Sequence, residues 1–295
     1  MAQLPPSYIG RFAPSPTGPL HLGSLYTALA SYLDARRHQG QWLLRIDDLD
    51  TPRNVPGAGD AILRCLNRFQ LHYDGAVYYQ SQQLESYAEA FARLRQQQWL
   101  YACRCSRKSL AGISVYPGHC REAGFPLTGS SAWRLRVTDL SIGFYDTLQG
   151  WINENPALEH GDFIVRRKDG IVAYQFAVVI DDFRQRVNRV VRGVDLLDST
   201  IKQLYLQTLL DYPEPRYMHL PVLVDSHGNK LSKQTLAAPV DANHPSDTLF
   251  LLLQLLRQEP PLSLRKAPVN EQLAWAIAHW SPKTLKKIPI IHAPE

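Results

Sequence analysis

Three residues that could do chemistry lie at a predicted turn between a strand and a helix. His21, Gly23 and Ser24 belong to the string RFAPSPTGPLHLGS, residues 11–24. Small residues at the start of a helix let backbone N–H groups approach phosphate oxygens, and a histidine there can donate a hydrogen bond to a phosphate as charge develops. The string therefore indicates a nucleotide site. For the short segment HLG alone, a turn in which Pro and Gly serve only geometry is the alternative.

Two lysines near residue 230 are a second candidate for phosphate chemistry. Lys230 and Lys233 lie three residues apart in HGNKLSKQ, after the apolar string PVLVD. Cations on a loop can hold a triphosphate from the side opposite His21, and charge that tightens on pyrophosphate only in the transition state raises the rate. A solvated basic turn is the alternative for this segment taken alone.

Three cysteines within residues 101–121, YACRCSRKSLAGISVYPGHCR, indicate a possible zinc site. They are Cys103, Cys105 and Cys120. Thiolates are ligands that zinc prefers, although this spacing is not the regular CxxC pair of a zinc ribbon. From the residues alone, the fourth ligand could be His119 or Tyr116. Three reduced, buried thiols without a metal are the remaining alternative.

The elements around His21 predict an open α/β sheet. Residues 7–13 have the pattern of a buried strand, the apolar positions of the next segment follow helical spacing up to Gly40, and residues 41–46 form a second strand pattern. A strand, a glycine-containing turn, a helix and a strand form the βαβ unit of a parallel sheet, whose ligands bind at the carboxyl ends of the strands. The predicted fold is therefore a doubly wound sheet.

Further along, the chain alternates between helical and β-rich patterns. Residues 83–99 predict a solvated helix, and residues 132–182 contain the β-rich strings AWRLRV, GDFIVRR and IVAYQFAVVI, which we interpret as part insertion and part return to the sheet. Helical patterns follow at 198–211, 246–257 and 270–280.

Composition sets the broad class of the protein. The 295 residues are 45% hydrophobic, which is enough for a large core, and the net charge of +5 permits a polyanionic partner without requiring one. We expect no signal peptide and no membrane segment, because Pro and Gly interrupt the first 18 residues and the apolar window 249–256 is short. The clustered cysteines favour a reducing cytoplasm, and Cys65, in AILRCLNRF, is interpreted as a packed thiol.

Taken together, the strings HLGS and KLSKQ resemble the signature motifs of class I aminoacyl-tRNA synthetases. RFAPSPTGPLHLGS is similar to the glutamyl and glutaminyl branch, and the resemblance extends from Tyr8 to Lys233 through LLRIDDLD, VYYQSQQ, YQFAVVIDD, VVRGVDLLDST and MHLPVLVDSHGNKLSK. It implies a Rossmann-type catalytic domain that activates glutamate with ATP and Mg²⁺ to form an adenylate. The implied catalytic residues are His21, Lys230 and Lys233.

The same resemblance implies positions for the two substrates. The positions that match the glutamate-binding residues of the family are Arg11, Ala13, Ser15, Asp47, Tyr174 and Arg192. Arg11 and Arg192 would bind carboxylates and Asp47 the α-ammonium, although the family more often has Glu at that acidic position. Structural ion pairing is the alternative for the arginines. The implied ATP-binding residues are His21, Gly23, Ser24, Asp195 and Lys233, with Asp195 near the ribose.

Shortened bacterial members of this branch provide the closest match of pattern. They carry a CxC pair, a tyrosine and a final cysteine at the spacing of Cys103, Cys105, Tyr116 and Cys120, which implies one structural Zn²⁺ with Tyr116 as its fourth ligand. Members of this group attach glutamate to queuosine at the wobble position of tRNA(Asp). The resemblance therefore implies three partners, L-glutamate, ATP and tRNA(Asp) carrying queuosine, and a monomer.

We expect four units along the chain. They are the first half of the catalytic domain (1–100), an inserted subdomain with the zinc site (101–165), the second half with the KLSKQ loop (166–235) and a short helical region without an anticodon-binding domain (236–295). Two alternatives remain for function. One is a compact glutamyl-tRNA synthetase that charges the 3′ end of tRNA(Glu), and the other is a non-catalytic tRNA-binding regulatory paralogue. A small-molecule adenylating ligase fits the glutamate-type strings poorly.

Overall fold

The computed structural model describes residues 8–231, 240–241 and 243–294. Its helices are α1 (Leu22–Arg37), α2 (Ala58–Arg68), α3 (Leu84–Gln96), α4 (Pro156–Glu159), α5 (Tyr174–Arg184), α6 (Leu197–Leu210), α7 (Pro245–Leu255) and α8 (Val269–His279). Its strands are β1 (Ile9–Phe12), β2 (Gln41–Ile46), β3 (Tyr78–Tyr79), β4 (Leu100–Cys103), β5 (Ala132–Leu135), β6 (Ile142–Asp146), β7 (Gly150–Glu154), β8 (Phe163–Arg166), β9 (Arg189–Gly193), β10 (Arg216–Leu220), β11 (Val222–Val224) and β12 (Ile290–His292).

The main sheet has seven strands in the order β3-β2-β1-β9-β10-β6-β7. The first six are parallel, and β7 pairs antiparallel with β6. From β1 the chain crosses to β2 on one side, whereas β9 lies on the other side. Strand order therefore changes direction between β1 and β9, which is where open α/β sheets bind ligands. The predicted Rossmann-type sheet is confirmed.

The first βαβ unit forms because its apolar positions share one face. All four residues of β1 are buried, and the α1 positions predicted from spacing are buried too, with Leu25, Leu29 and Leu33 fully enclosed. Each such leucine contributes about 1.5–3 kcal/mol to folding. After α1, Gly40 allows the chain to return against β1, because a Cβ at this position would lie 2.6 Å from the Cβ of Tyr8.

The segment between the two halves of the sheet contributes to two different sheets. Strands β4, β5 and β8 form a separate antiparallel sheet, and the cysteine-bearing loop lies between β4 and β5. The hairpin β6-β7 pairs instead with β10 of the main sheet. Residues 101–165 therefore supply strands to both sheets, while the division into four units stays a prediction.

The β-rich interpretation of IVAYQFAVVI is wrong, because most of this string forms helix α5. A short continuous apolar run fits a buried strand or a buried helix equally well. Here α5 lies between α3 and α6, where Phe176 stacks on Phe91 with ring centroids 4.1 Å apart. Burial of α5 from several sides removes the amphipathic pattern that would have revealed it.

Helices α6, α7 and α8 confirm the predicted helical segments. Helices α7 and α8 pack together, and α8 packs on α1, where the indole N–H of Trp280 donates to Asp34 at 2.9 Å. Strand β12 pairs with β11 in a separate two-stranded parallel sheet, which joins the end of the chain to the segment that follows β10. Within the described ranges, no helix has the length and apolarity needed to cross a bilayer.

Candidate functional site

A cavity of about 660 Å³ opens at the carboxyl ends of β1 and β9, where the strand order changes direction. Most residues predicted from the sequence to bind glutamate or ATP line this single cavity. They are Arg11, Ala13, Ser15, His21, Gly23, Ser24, Tyr174, Arg192, Asp195 and Lys230. Lys233 lies outside the described residues, and Asp47 lines a neighbouring cavity.

Arg11 is held in place by a buried carboxylate. Its Nε donates to Asp182 Oδ1 at 3.1 Å and its Nη2 to Oδ2 at 3.4 Å, and both side chains are almost fully enclosed. Burial alone would raise the pKa of Asp182, but Arg11 and Arg45 lower it below its ordinary value. Asp182 therefore stays ionised and fixes the Arg11 guanidinium, which still contributes to the cavity wall.

Asp47 belongs to the same buried charge network. Arg45, fully enclosed, donates from Nε to Asp47 Oδ1 at 2.7 Å and from Nη1 to Asp182 Oδ1 at 2.6 Å. Burial raises the pKa of Asp47 to about 6, although Arg45 opposes this rise. At neutral pH Asp47 is a carboxylate that a cationic ligand group can approach from the neighbouring cavity.

Arg192 is oriented by a buried relay of polar side chains. Its Nη2 donates to Thr200 Oγ1 at 2.7 Å, and its Nε donates to His219 Nε2 at 3.1 Å. His219 Nδ1 in turn lies 2.7 Å from Asp146 Oδ2. Because Nε2 accepts, the network assigns the proton to Nδ1. Burial lowers the pKa of His219, so the imidazole is neutral.

Tyr174 connects the two substrate regions. It lies at the start of α5, its hydroxyl accepts a 3.5 Å hydrogen bond from Arg192 Nη1, and its ring contributes to both cavities. Arg192 and the Tyr174 phenol are therefore neighbours in the wall of the first cavity. This arrangement suits a planar carboxylate, which accepts parallel hydrogen bonds from a guanidinium.

His21 is the N-cap residue of α1. Its Nδ1 accepts from the backbone N–H of Ser24 at 3.3 Å, and its Nε2 lies 2.8 Å from Ser24 Oγ. Gly23 lets Leu231 and the His21 ring approach the start of α1 closely, because a Cβ at residue 23 would make tight contacts of 3.1 Å with the Leu231 carbonyl oxygen and 3.2 Å with the His21 ring. Three features therefore lie together at this cavity: the N-terminus of α1, the His21 imidazole and the start of the KLSKQ loop. Such a combination favours the binding of an anion.

Lys230 and Asp195 form an ion pair at the edge of the cavity. Lys230 follows β11 and pairs as an isolated bridge with Val224, while Asp195 follows the end of β9. Both side chains are partly exposed, so a ligand phosphate could compete with Asp195 for the ammonium. The structure therefore brings the predicted triphosphate lysine and the predicted ribose carboxylate together.

The neighbouring cavity, of about 730 Å³, lies between the main sheet and the smaller antiparallel sheet. It shares Ser15, Arg53 and Tyr174 with the first cavity, so the two are adjacent. Its wall has four cationic side chains and three acidic ones. They are Arg53, Arg107, Arg167, Lys168, Asp47, Asp50 and Asp169. A polar ligand larger than glutamate could therefore approach Asp47 from this side.

The thiols of the cysteine loop form a compact cluster. The Sγ atoms of Cys103, Cys105 and Cys120 lie within 4.8 Å of one another, and the Tyr116 hydroxyl lies 3.5 Å from Cys103 and 3.7 Å from Cys105. A tetrahedron of sulfur ligands around zinc has edges of about 3.8 Å. These four residues therefore fit one zinc ion.

The geometry favours Tyr116 over His119 as the fourth member of this cluster. Tyr116 is buried with its hydroxyl among the thiols, and the Arg134 guanidinium stacks 3.6 Å from the centre of its ring. His119 is exposed and lies edge-on to that ring at 6.3 Å. Burial alone would raise the pKa of Cys120, but hydrogen bonds from the Arg104 backbone and from Tyr116 lower this pKa to about 7. Cys65 instead packs against the main core, as predicted.

The sequence interpretation missed the residues that support the two arginines. Asp182 lies in YQFAVVIDD and His219 in MHLPVLVD, two strings that carried the family resemblance but had no assigned role. Arg45 precedes the predicted Asp47 by two positions. A buried charged residue on a predicted strand was the available signal, because such a residue requires an ionic partner.

Comparison with known proteins places this geometry in context. The family model described as tRNA synthetases class I (E and Q), catalytic domain, matches residues 9–114 and 129–258. The glutamyl-Q tRNA(Asp) synthetase of Aromatoleum aromaticum is 50% identical over 94% of this chain and 90% of that protein. The protein of the same name from Pseudomonas aeruginosa is 49% identical over 93% of this chain and 94% of its own.

Solved structures support the fold. A glutamate tRNA ligase from Elizabethkingia meningosepticum, crystallised in complex with its amino acid, superimposes with a TM-score of 0.80 over 97% of this chain and 67% of that one, at 23% identity. A methionyl-tRNA synthetase from Mycobacterium tuberculosis gives 0.56 over 85% of this chain and 64% of that one, at 12% identity. At these identities the likeness concerns the fold alone.

Proposed function

Because this chain belongs to the glutamyl-Q tRNA(Asp) synthetases, within the class I synthetases for glutamate and glutamine, we propose that it activates L-glutamate with ATP and transfers it to queuosine in tRNA(Asp). The observation that carries this proposal is the convergence of two buried arginines with the His21 helix terminus in one cavity. A dicarboxylate and a triphosphate can then lie side by side.

In the first step, the α-carboxylate of glutamate attacks the α-phosphorus of ATP and pyrophosphate leaves. Arg11 and Arg192 bind carboxylate groups, and Asp47 binds the α-ammonium. Both guanidiniums are fixed before the substrate arrives, by Asp182 and by His219, so little orientation remains to be gained on binding. Class I synthetases use ATP with Mg²⁺, which offsets phosphate charge.

His21 and the lysines stabilise the charge that develops on the departing pyrophosphate. The α1 N-terminus and the His21 imidazole lie on one side of the cavity, and Lys230 approaches from the loop on another. Fixed donors aimed at developing charge lower the barrier without a covalent protein intermediate. We assign Lys233 the same role as Lys230 from its place in the motif.

In the second step, a hydroxyl of the queuosine cyclopentene ring attacks the acyl carbon of the adenylate, an ester bond forms and AMP leaves. The second cavity supports this acceptor, because it adjoins the first and provides space for a nucleoside beside Asp47. Its cations, including Arg107 and Lys168, suit the flanking phosphates. Splayed loop bases are the usual targets of sequence-specific RNA recognition.

We further propose that the thiol cluster binds one Zn²⁺. Cys103, Cys105, Tyr116 and Cys120 would hold the ion, which would stabilise the loop between β4 and β5 without taking part in the reaction. Free thiols in such a cluster fit the reducing conditions of the cytoplasm, and we propose that the protein acts there. From the family resemblance, we also propose that it is a monomer.

Labelled glutamate distinguishes the candidate acceptors. The protein is incubated with ATP, labelled glutamate and one of three tRNAs, which are tRNA(Asp) that carries queuosine, tRNA(Asp) that lacks it, and tRNA(Glu). The product is digested with nuclease to locate the label. We expect label only on the queuosine nucleotide. Label on the 3′ end of tRNA(Glu) would establish a compact glutamyl-tRNA synthetase instead. Absence of both transfer and glutamate-dependent pyrophosphate exchange would establish a non-catalytic protein.

A further inference from the structure

A second cationic site lies at the opposite edge of the main sheet from the catalytic cavity. It is a cavity of about 730 Å³ near the start of β9 and β10, bordered by the end of α1 and by residues that follow α8. We call this cavity the cationic groove, because five of its wall residues carry a positive charge. They are Arg37, Arg189, Arg216, Lys283 and Lys286.

The cationic groove has an excess of positive charge, because its wall has five cations and one carboxylate, Asp34. Arg189 and Arg216 lie in register on neighbouring strands, an arrangement in which like charges repel. Within the described residues, no Asp or Glu forms an ion pair with any of the five cations. Partial burial, and then the charge of Arg216, lower the pKa of Arg189, although Tyr8 and Asp34 oppose this change. Two adjacent guanidiniums that form no ion pair with a carboxylate of the described residues favour an anionic ligand.

The one carboxylate in the wall of the groove is already engaged. Asp34 accepts a 2.6 Å hydrogen bond from the Tyr8 hydroxyl and a 2.9 Å bond from the Trp280 indole. It is buried, whereas Arg37, Lys283 and Lys286 are exposed. The accessible part of the groove is therefore positive, and an aromatic side chain, Tyr145, stands 65% exposed in its wall. Cations beside an exposed ring are typical of a surface that binds nucleic acid.

Helix α1 sets the distance between the groove and the catalytic cavity. His21 caps its first turn at the catalytic cavity, and Arg37 is its last residue, at the groove. Sixteen residues of α-helix span about 24 Å. A stem and loop of RNA is long enough to bridge this distance.

We propose that the cationic groove binds the phosphodiester backbone of the tRNA while the anticodon nucleoside occupies the catalytic site. This inference rests on the proposed function, because it assumes that an RNA is the acceptor. The contacts are to phosphates and not to bases, so they add affinity and orientation without reading the sequence. Each phosphate neutralised by a groove cation releases counterions, which makes its contribution dependent on salt.

The test measures tRNA binding against salt concentration. We compare the parent protein with two double variants, Arg189→Gln with Arg216→Gln and Lys283→Gln with Lys286→Gln. The matched control is Arg265→Gln with Lys266→Gln, which removes two exposed cations outside the groove. Dissociation constants for queuosine-containing tRNA(Asp) are measured over a range of salt, together with glutamate-dependent pyrophosphate exchange.

The slope of log affinity against log salt is negative. Loss of two phosphate contacts should make it shallower by about 1.4–1.8. We expect this change in each groove variant, the parent slope in the control, and unchanged pyrophosphate exchange and thermal unfolding in all three. The lysine pair, fully on the surface, keeps the test valid if loss of the half-buried Arg189 disturbs folding. An unchanged slope in the groove variants, or an equal change in the control, would overturn the proposal.

Free phosphate is the competing ligand with the same chemistry. If inorganic phosphate or pyrophosphate raises the unfolding temperature of the parent but not of the groove variants, while the tRNA slope stays constant, the groove is a small-anion site and the proposal is wrong. Failure of the proposed function looks different, because the parent protein would then transfer no glutamate to tRNA(Asp). If the parent protein transfers glutamate normally but the groove variants keep the parent's salt slope, the groove proposal is wrong and the proposed function stands.

Discussion

The Asn and Gln variants of His219 test how the protein holds its second substrate arginine. The imidazole uses its two nitrogens differently, accepting from Arg192 at Nε2 and donating to Asp146 from Nδ1. In His219→Asn the amide can take the Nδ1 position and still donate to Asp146, but it leaves Arg192 Nε without this acceptor. In His219→Gln the longer amide can present its oxygen at the Nε2 position and keep the bond to Arg192.

The expected loss follows from the burial of Arg192. Arg192 as a whole is 4% exposed, so water replaces the lost acceptor poorly. Hydrogen bonds to a charged group contribute about 1.5–3 kcal/mol, and each 1.36 kcal/mol corresponds to a factor of ten. His219→Asn should therefore raise the KM for glutamate by up to about 150-fold, because the bond is present with and without glutamate and its loss weakens binding only when the freed guanidinium leaves its binding orientation. The kcat should change little, because Arg192 contacts the substrate in both the ground state and the transition state.

Steady-state pyrophosphate exchange at neutral pH, with tRNA present, measures both constants. At this pH His219 is neutral, because burial holds its pKa below the ordinary value. The Gln variant is the matched control, and its KM should stay much closer to that of the parent. Equal KM values in the parent and the Asn variant, or a loss confined to kcat, would refute the role of His219 as the support of Arg192.

Three further predictions concern other parts of the site. Replacing His21 with Ala should lower the kcat of pyrophosphate exchange by about 10²- to 10³-fold with little change in glutamate KM, and an unchanged kcat would remove His21 from the chemistry. The variant Cys103→Ser should lose zinc, measured by elemental analysis, whereas Cys65→Ser should retain it, and equal zinc in both would disprove the cluster as its site. The KM for glutamate should rise as the pH falls through about 6, because Asp47, whose pKa burial raises, then gains a proton and loses its attraction for the α-ammonium. A pH-independent KM between 5 and 8 would contradict that assignment.

Local patterns predicted the first half of the sheet well. The spacing of Leu25, Leu29 and Leu33 gave the buried face of α1, and residues 41–46 gave β2 with its observed bounds. These elements each bury one face or lie wholly in the sheet, so their periodicity is visible in the sequence. Most of the predicted site residues, His21 and Arg11 among them, line one cavity, because the motif strings lie near the carboxyl ends of parallel strands. Asp47 lines the neighbouring cavity instead.

Features that depend on distant partners could not be predicted. Helix α5 packs against both α3 and α6, so its continuous apolar run has the pattern of a buried strand. The hairpin β6-β7 pairs with β10, a strand about 70 residues further along the chain. The ion pair between Arg11 and Asp182 joins residues 171 positions apart. Nothing local to either residue indicates its partner, because the pairing arises only when β1 and α5 pack together.

A crystal structure with a non-hydrolysable glutamyl-adenylate analogue tests most directly whether one cavity serves both substrates. We predict that its side-chain carboxylate is within hydrogen-bonding distance of Arg11 or Arg192, its ammonium faces Asp47, and its phosphate lies at the α1 N-terminus beside His21. An analogue bound with its glutamyl group away from both arginines, or with its phosphate away from His21, would contradict the proposed site.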